Sequence, residues 1–153
     1  VFDTTNNTSL ICDSFLKVEK FETEIKTLKP LNDFFKHGIV KTLNLETKQF
    51  SNYTVFINNT NFNITNTLIP YAFLECVKAC DYSKAKSYLD NSLGNITNSK
   101  LETYFNEIKN IYYNCYFFEP NQTNCTIETS TGYKNYTFTL LKDKICEIEE
   151  NAI

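Results

Sequence analysis

The chain has no arginine, no tryptophan and no methionine, and only one histidine, three glycines and three prolines in 153 residues. Each shortage excludes something. Arginine is the usual planar, two-pronged grip on phosphate and carboxylate. Its absence, with a net charge of -3, argues against nucleic acid and against a polybasic membrane surface. Three scattered glycines leave no phosphate-cradling loop. Without Trp and Met the core has to come from Phe, Tyr, Leu and Ile. No apolar run approaches the length of a membrane span. No signal peptide is visible, and a start at Val1 without Met is what a processed chain with its signal peptide removed is expected to look like.

What is present places the chain among globular domains. Apolar residues make up 42% and charged residues 22%, which argues against wholesale disorder, and one domain over residues 1–153 is expected, with 1–11 as a flexible arm.

Two features point to an extracellular protein. Nine Asn-x-Ser/Thr acceptors for N-linked glycans begin at Asn6, Asn7, Asn52, Asn58, Asn63, Asn95, Asn121, Asn124 and Asn135. Shuffling this composition would give roughly three or four. Their placement suits a bulky substituent. Asn63 and Asn135 fall on the polar side of alternating segments, and Asn95 follows Gly94 in a loop. The second feature is an even six cysteines, Cys12, Cys76, Cys80, Cys115, Cys125 and Cys146, which predict up to three disulfides in an oxidising compartment. Six cysteines allow fifteen complete pairings; setting aside the three that join Cys76 to Cys80, one helical turn apart, leaves twelve. No CxxC knuckle is present, so no metal site is predicted.

Periodicity predicts a helix over 14–28, with Phe15, Val18, Phe21, Ile25 and Leu28 on one side and Pro30 at its end. Short runs at 39–45, 53–57 and 61–65 read as strands. Pro70 opens a helix carrying Phe73, Cys76, Val77 and Cys80 on one face, closed by Gly94. Over 99–116, Ser99 and Glu102 form a capping box, and Leu101, Tyr104, Phe105, Ile108, Ile111, Tyr112 and Cys115 form a helical stripe. Segments 125–129 and 133–140 pair around Ser130, Thr131 and Gly132, and Glu147, Glu149 and Glu150 form a solvated tail. The expected fold is α+β, a single disulfide-stapled domain with several helices packed on a small antiparallel sheet; an all-α disulfide-linked bundle is the alternative.

Residues for catalysis are few. His37 has Asp33 four residues before it as an orienting carboxylate, but no nucleophile motif accompanies them, and an exposed histidine near Gly38 is expected. Glu22 with Glu24, Asp81 with Asp90, and Glu75 with Glu119 are carboxylate pairs that nothing singles out for hydrolysis. No residue is assigned a catalytic role, and no cofactor is expected. The aromatic cluster Tyr112, Tyr113, Tyr116, Phe117 and Phe118 is the candidate binding element, either core packing or the anchor patch of an interface, with Tyr113 off the stripe and expected to be exposed.

Cys76 and Cys80 on a helix, and the nine residues between Cys115 and Cys125, resemble the middle and later cysteines of insect odorant-binding proteins. That resemblance implies an all-α cup for small apolar ligands, with Cys12 bonded to Cys80, Cys76 to Cys125 and Cys115 to Cys146. The chain departs from the family in its last cysteine spacing, twenty residues here, in its strand-like segments and in its many acceptors, so the resemblance is not adopted.

The function expected from these residues is a secreted N-glycosylated interaction protein, not an enzyme, that binds another protein through an unglycosylated face. The acceptor-free span Thr67–Gly94 and the helix ending at Cys115 would supply that face. An extracellular carrier of a small apolar ligand, walled by aromatics of 104–118, is the alternative.

Overall fold

The computed structural model describes residues 2–3, 8–9, 17–31, 33–57, 64–113 and 120–152. They belong to two compact units, Val1–Asn59 and Thr60–Ile153. Among the described residues, two four-stranded antiparallel sheets and three short α-helices make up most of the structure. The expected architecture of several helices on a small sheet is therefore wrong in its balance, and the all-α alternative is excluded.

In the first unit, β1 (Phe2–Asp3) pairs with β2 (Thr8–Ser9). The strands β3 (Lys17–Lys20), β4 (Glu24–Pro30), β5 (His37–Asn44) and β6 (Phe50–Phe56) then form a meander in sequence order. The helix predicted over 14–28 is thus two strands where it is described. Its apolar residues fit a 3.6-residue period, but 24–28 fits a period of two as well, with Ile25 and Thr27 buried between half-exposed neighbours. β-branched Val18, Ile25 and Thr27 favour the pleated option. A tight turn, with Phe21 N–H donating to the Glu24 carbonyl at 2.8 Å, reverses the chain where the helix would have continued. Pro30 stops a strand rather than a helix. The strands predicted at 39–45 and 53–57 are present as β5 and β6; Asn61–Asn63 lie outside the described residues, and 64–65 are not strand. Ile25 and Leu43 form a small buried cluster with Leu45 against it.

In the second unit, α1 (Ile69–Lys78), α2 (Tyr82–Lys86) and α3 (Asn98–Phe105) precede a sheet of order β10-β9-β8-β7, with β7 at Ile108–Tyr112, β8 at Gln122–Thr129, β9 at Gly132–Leu141 and β10 at Lys144–Asn151. Pro70 sits in the first turn of α1, where its missing N–H is not needed. Nine consecutive residues of α1, Ile69–Val77, are buried, so this is a core helix rather than a surface one. β8 alternates strictly, with Thr123, Cys125, Ile127 and Thr129 turned inward. The core is aromatic. Phe73 lies 5.5 Å from Phe105 and 6.0 Å from Phe138, and Phe105 lies 5.1 Å from Tyr136, measured between ring centroids. The hairpin predicted around Ser130–Gly132 is present: Thr129 pairs with Gly132, whose φ of 128° only glycine adopts readily.

The long helix predicted over 99–116 stops at Phe105. Asn106 takes φ 53° and ψ -162°, and the chain continues as β7. The cap is also shifted, since Thr97 Oγ1 accepts from the Lys100 N–H at 3.1 Å and takes the place of Ser99. Ile108 and Ile111 fit the helical stripe only because β7 carries a bulge between Ile108 and Asn110, which restores both to the buried face. The acidic tail is strand β10.

The expected disulfide staples are absent among the described residues: no bridge joins Cys76, Cys80, Cys125 or Cys146, while Cys12 and Cys115 lie outside the described residues. The physical reason is placement. Cys76 and Cys125 are buried as small apolar side chains, Cys80 faces solvent at the end of α1, and Cys146 donates from Sγ to the Thr139 carbonyl at 3.4 Å.

Candidate functional site

The second unit carries a groove of about 620 Å³ where the C-terminal end of α1, α3 and the start of β7 meet. Backbone geometry builds its walls. The helix α1 ends with the Cys80 N–H bonded to the Val77 carbonyl and the Asp81 N–H bonded to the Cys76 carbonyl, both at 2.9 Å. This is a Schellman motif with Cys80 in the left-handed position, φ 58°, that glycine usually fills. Asp81 then caps α2 by accepting from the Lys84 N–H at 3.1 Å, which sets Tyr82 at the groove. On the opposite wall the turn at Asn106 separates Glu102 of α3 from Glu107.

The groove has a mixed lining. Val77 and Ile108 supply apolar surface; Lys78, Cys80, Tyr82, Glu102, Asn106 and Glu107 supply an ammonium, a thiol, a phenol, an amide and two carboxylates. Burial, followed by the neighbouring Cys80, pushes the Tyr82 hydroxyl up to about 12, so it remains a neutral donor over the physiological range. The groove therefore offers hydrogen-bond donors, acceptors and apolar surface side by side.

The sheet's outer face carries a second arrangement. Asn124 lies opposite Thr137 and Thr126 opposite Asn135 in the β8–β9 ladder. Thr126 Oγ1 donates to Asn135 Oδ1, and Thr137 Oγ1 donates to Asn124 Oδ1, each at 2.7 Å. Two glycan acceptors therefore face each other, each holding the other's amide through its own threonine. The oxygens are engaged, and the amide nitrogens, which would carry the sugars, are not used in these two bonds. Of the other acceptors, Asn52, Asn95 and Asn121 are exposed; Asn6, Asn7, Asn58 and Asn63 lie outside the described residues.

The aromatic cluster divides. Tyr112 is half-buried on β7, its hydroxyl 3.3 Å from Glu128 Oε2 and its ring 5.8 Å from that of Tyr133. Tyr113 is half-buried rather than exposed; its hydroxyl donates to Glu75 Oε1 at 2.5 Å, and its ring packs 5.2 Å from Tyr71. Tyr116, Phe117 and Phe118 lie outside the described residues. Phe105 packs against Tyr136 in the core, whereas Tyr104, also against Tyr136, is exposed and lines a shallow cavity of about 360 Å³ with Ile96, Ser99, Lys100 and Thr103.

His37, expected to be exposed, is 1% exposed at the start of β5. Its Nδ1 lies 2.7 Å from Asp33 Oδ2, its backbone N–H donates to Asp33 Oδ1 at 2.8 Å, and its ring stacks 4.6 Å from that of Phe56. The orienting carboxylate read from the sequence is present, in a turn rather than a helix, and the imidazole is pinned inside the fold. Of the carboxylates paired in the sequence, Glu24, Asp81 and Asp90 have structural partners, and Glu119 lies outside the described residues. Glu24 bridges Lys26 at 2.8 Å, Asp81 caps α2, and Asp90 accepts from the Ser92 N–H at 2.9 Å, which holds its carboxyl below the usual range. The groove escaped sequence reasoning because it depends on α3 ending at Asn106. The one local signal was Asp81, a capping residue placed directly after Cys80. Comparison with models of protein families, with curated proteins and with solved structures finds no match.

Proposed function

We propose that this chain is a secreted, N-glycosylated interaction protein that binds another extracellular protein in the groove between the end of α1, α3 and β7. The observation that carries the reading is the separation of acceptors from groove. Asn124 and Asn135 stand on the outer face of the second unit's sheet, the helices pack on its other face, and none of the residues lining the groove is an acceptor asparagine. The groove draws on the two segments whose sequence promised a plain surface, Val77–Tyr82 and Glu102–Ile108. Most of the acceptor-free span Thr67–Gly94 is plain for another reason: α1 is core. Glu102 and Glu107 favour a partner that presents lysine or arginine, and their exposure makes the attraction salt-sensitive. No helix among the described residues is long and apolar enough to cross a membrane.

The test places a photo-crosslinking residue at Glu102 in the groove and, separately, at Thr137 on the outer face. Each protein is then applied to extracellular material from the native source, and the native chain is mapped for glycopeptides. The expected result is one discrete protein crosslinked from Glu102 and not from Thr137, with sugars on Asn52, Asn95 and Asn121. A native chain without glycans refutes the secreted-glycoprotein reading, and equal capture from both positions refutes the groove.

A further inference from the structure

On α3, Leu101 and Phe105 are buried. On another side of the helix Ser99 and Thr103, and likewise Lys100 and Tyr104, stand four residues apart, one turn above the other. With Ile96 of the preceding loop they line the shallow cavity of about 360 Å³. Tyr104 is a fixed wall of it. Its ring lies 5.1 Å from that of Phe105 and 5.6 Å from that of Tyr136, and its hydroxyl donates to the Ile148 carbonyl at 3.4 Å. The residue is still 36% exposed.

The lining is amphipathic. Ile96, the Tyr104 ring and the Lys100 stem are apolar, while Ser99, Thr103 and Lys100 add two hydroxyls and an ammonium. A pyranose has the same character, with C–H groups on its faces and hydroxyls around its edge. The volume lies at the small end of ligand sites. One residue before Ile96 stands Asn95, an acceptor completed by Thr97. It is exposed, in a turn closed by the Ile96 N–H donating to the Leu93 carbonyl at 3.1 Å.

We propose that this cavity seats the sugar carried by Asn95, whose first N-acetylglucosamine lies against Tyr104 and Ile96. The inference rests on the glycoprotein reading above. Position singles out this occupant. A shallow wall gives a free molecule little hold, but a sugar bonded to the neighbouring residue meets it at an effective concentration on the order of millimolar. Asn52 gives the contrast. Tyr53 after it lines a cavity of about 180 Å³ in the first unit, yet alternation along β6 sends the Asn52 side chain to the other face of the sheet.

Glycopeptide mapping of the native chain first asks whether Asn95 is occupied. NMR of the intact secreted protein, with isotope-labelled sugars, then compares the first sugar on Asn95 with the same sugar in the protease-released glycopeptide. The expected result is an upfield ring-current shift of its ring protons in the intact protein, with nuclear Overhauser contacts to the Tyr104 ring. Tyr104→Leu, which keeps an apolar side chain against Tyr136, should abolish the shift; the Overhauser contacts of the unaltered protein stand whether or not that variant folds. Unshifted sugar protons, a shift that survives Tyr104→Leu, a co-purifying small molecule on Tyr104 in place of the sugar, or an empty Asn95 in a chain glycosylated elsewhere each overturn the inference and leave the glycoprotein reading intact. A native chain with no sugar at any acceptor overturns that reading and this inference with it.

Discussion

Replacing Cys80 tests the backbone and the cysteine chemistry of the groove together, because the two accounts of this residue predict opposite signs. Cys80 holds φ 58° at the position where α1 ends. An L-residue there carries a penalty of about 1–2 kcal/mol that glycine does not. Glycine returns part of this, about 0.5–1 kcal/mol, through the greater freedom of the unfolded chain. The Schellman bonds are made by backbone groups and survive the change, and the partly exposed Tyr82 hydroxyl turns to water. The net expectation for Cys80→Gly is stabilisation by about 0.5–1 kcal/mol, an apparent Tm rise of about 2–4 °C per kcal/mol. Cys80→Ser keeps the side-chain size and the strained φ and should stay within about 0.5 kcal/mol of the parent. Were Cys80 bridged, both substitutions would remove a staple and cost about 2–4 kcal/mol. Urea titration of the three proteins without reductant decides the matter, and a large loss for both variants refutes the left-handed thiol described here.

Two more predictions follow from the second unit. Burial, then the neighbouring Cys76 thiol and the Glu75 and Asp81 carboxylates, pushes Tyr88 from 10.0 to about 12. Between these values the unfolded chain has lost a proton that the native chain keeps, so stability is full below pH 10.0 and declines as pH rises toward about 12; a Tyr88→Phe variant whose urea midpoint falls just as steeply over that window contradicts this. A double-mutant cycle of Thr126→Val with Asn135→Ala, on deglycosylated protein, should show a coupling of about 0.5–1 kcal/mol from their side-chain bond, and a coupling near zero removes the cross-strand ladder as a source of stability.

The parts legible in the sequence were those set by local chemistry. Pro70 marked the start of α1, Ser130–Gly132 marked the β8–β9 hairpin, and the alternation of Tyr136, Phe138 and Leu140 gave the buried face of β9. Asp33 stood four residues before His37 as an orienting carboxylate for a helix, but the contact is made in a turn and the histidine expected to be exposed is buried. Errors arose where two periods fit the same residues. Ile25 and Leu28 serve a helix face or a strand equally well until the turn at 21–24 is known. The stripe from Leu101 to Tyr112 spans a helix, a left-handed Asn106 and a bulged strand, whose combined geometry happens to keep the apolar residues in phase. Even cysteine parity suggested staples that are absent among the described residues, because Cys76 and Cys125 serve as core atoms. The groove was the least legible feature, since it is shaped by two positive-φ residues, Cys80 and Asn106, and neither is glycine.

The threonines of the acceptors separate two explanations for their abundance. In a strand, Asn-x-Thr puts both polar residues on one face, so a sheet that uses Asn and Thr outside creates acceptors as a by-product. Asn124 and Asn135 fit that account fully, since Thr126 and Thr137 form the ladder. At the other described acceptors the threonine has a local task, but the asparagine does not share it. Thr97 caps α3 while Asn95 stands exposed in the preceding loop. Thr54 and Thr123 are buried while Asn52 and Asn121 face solvent. The count of nine therefore weighs less than the exposure of these three asparagines. Occupancy at Asn52, Asn95 and Asn121 tests the glycoprotein reading most directly, because at these positions the asparagine is exposed while the threonine has its own place in the fold.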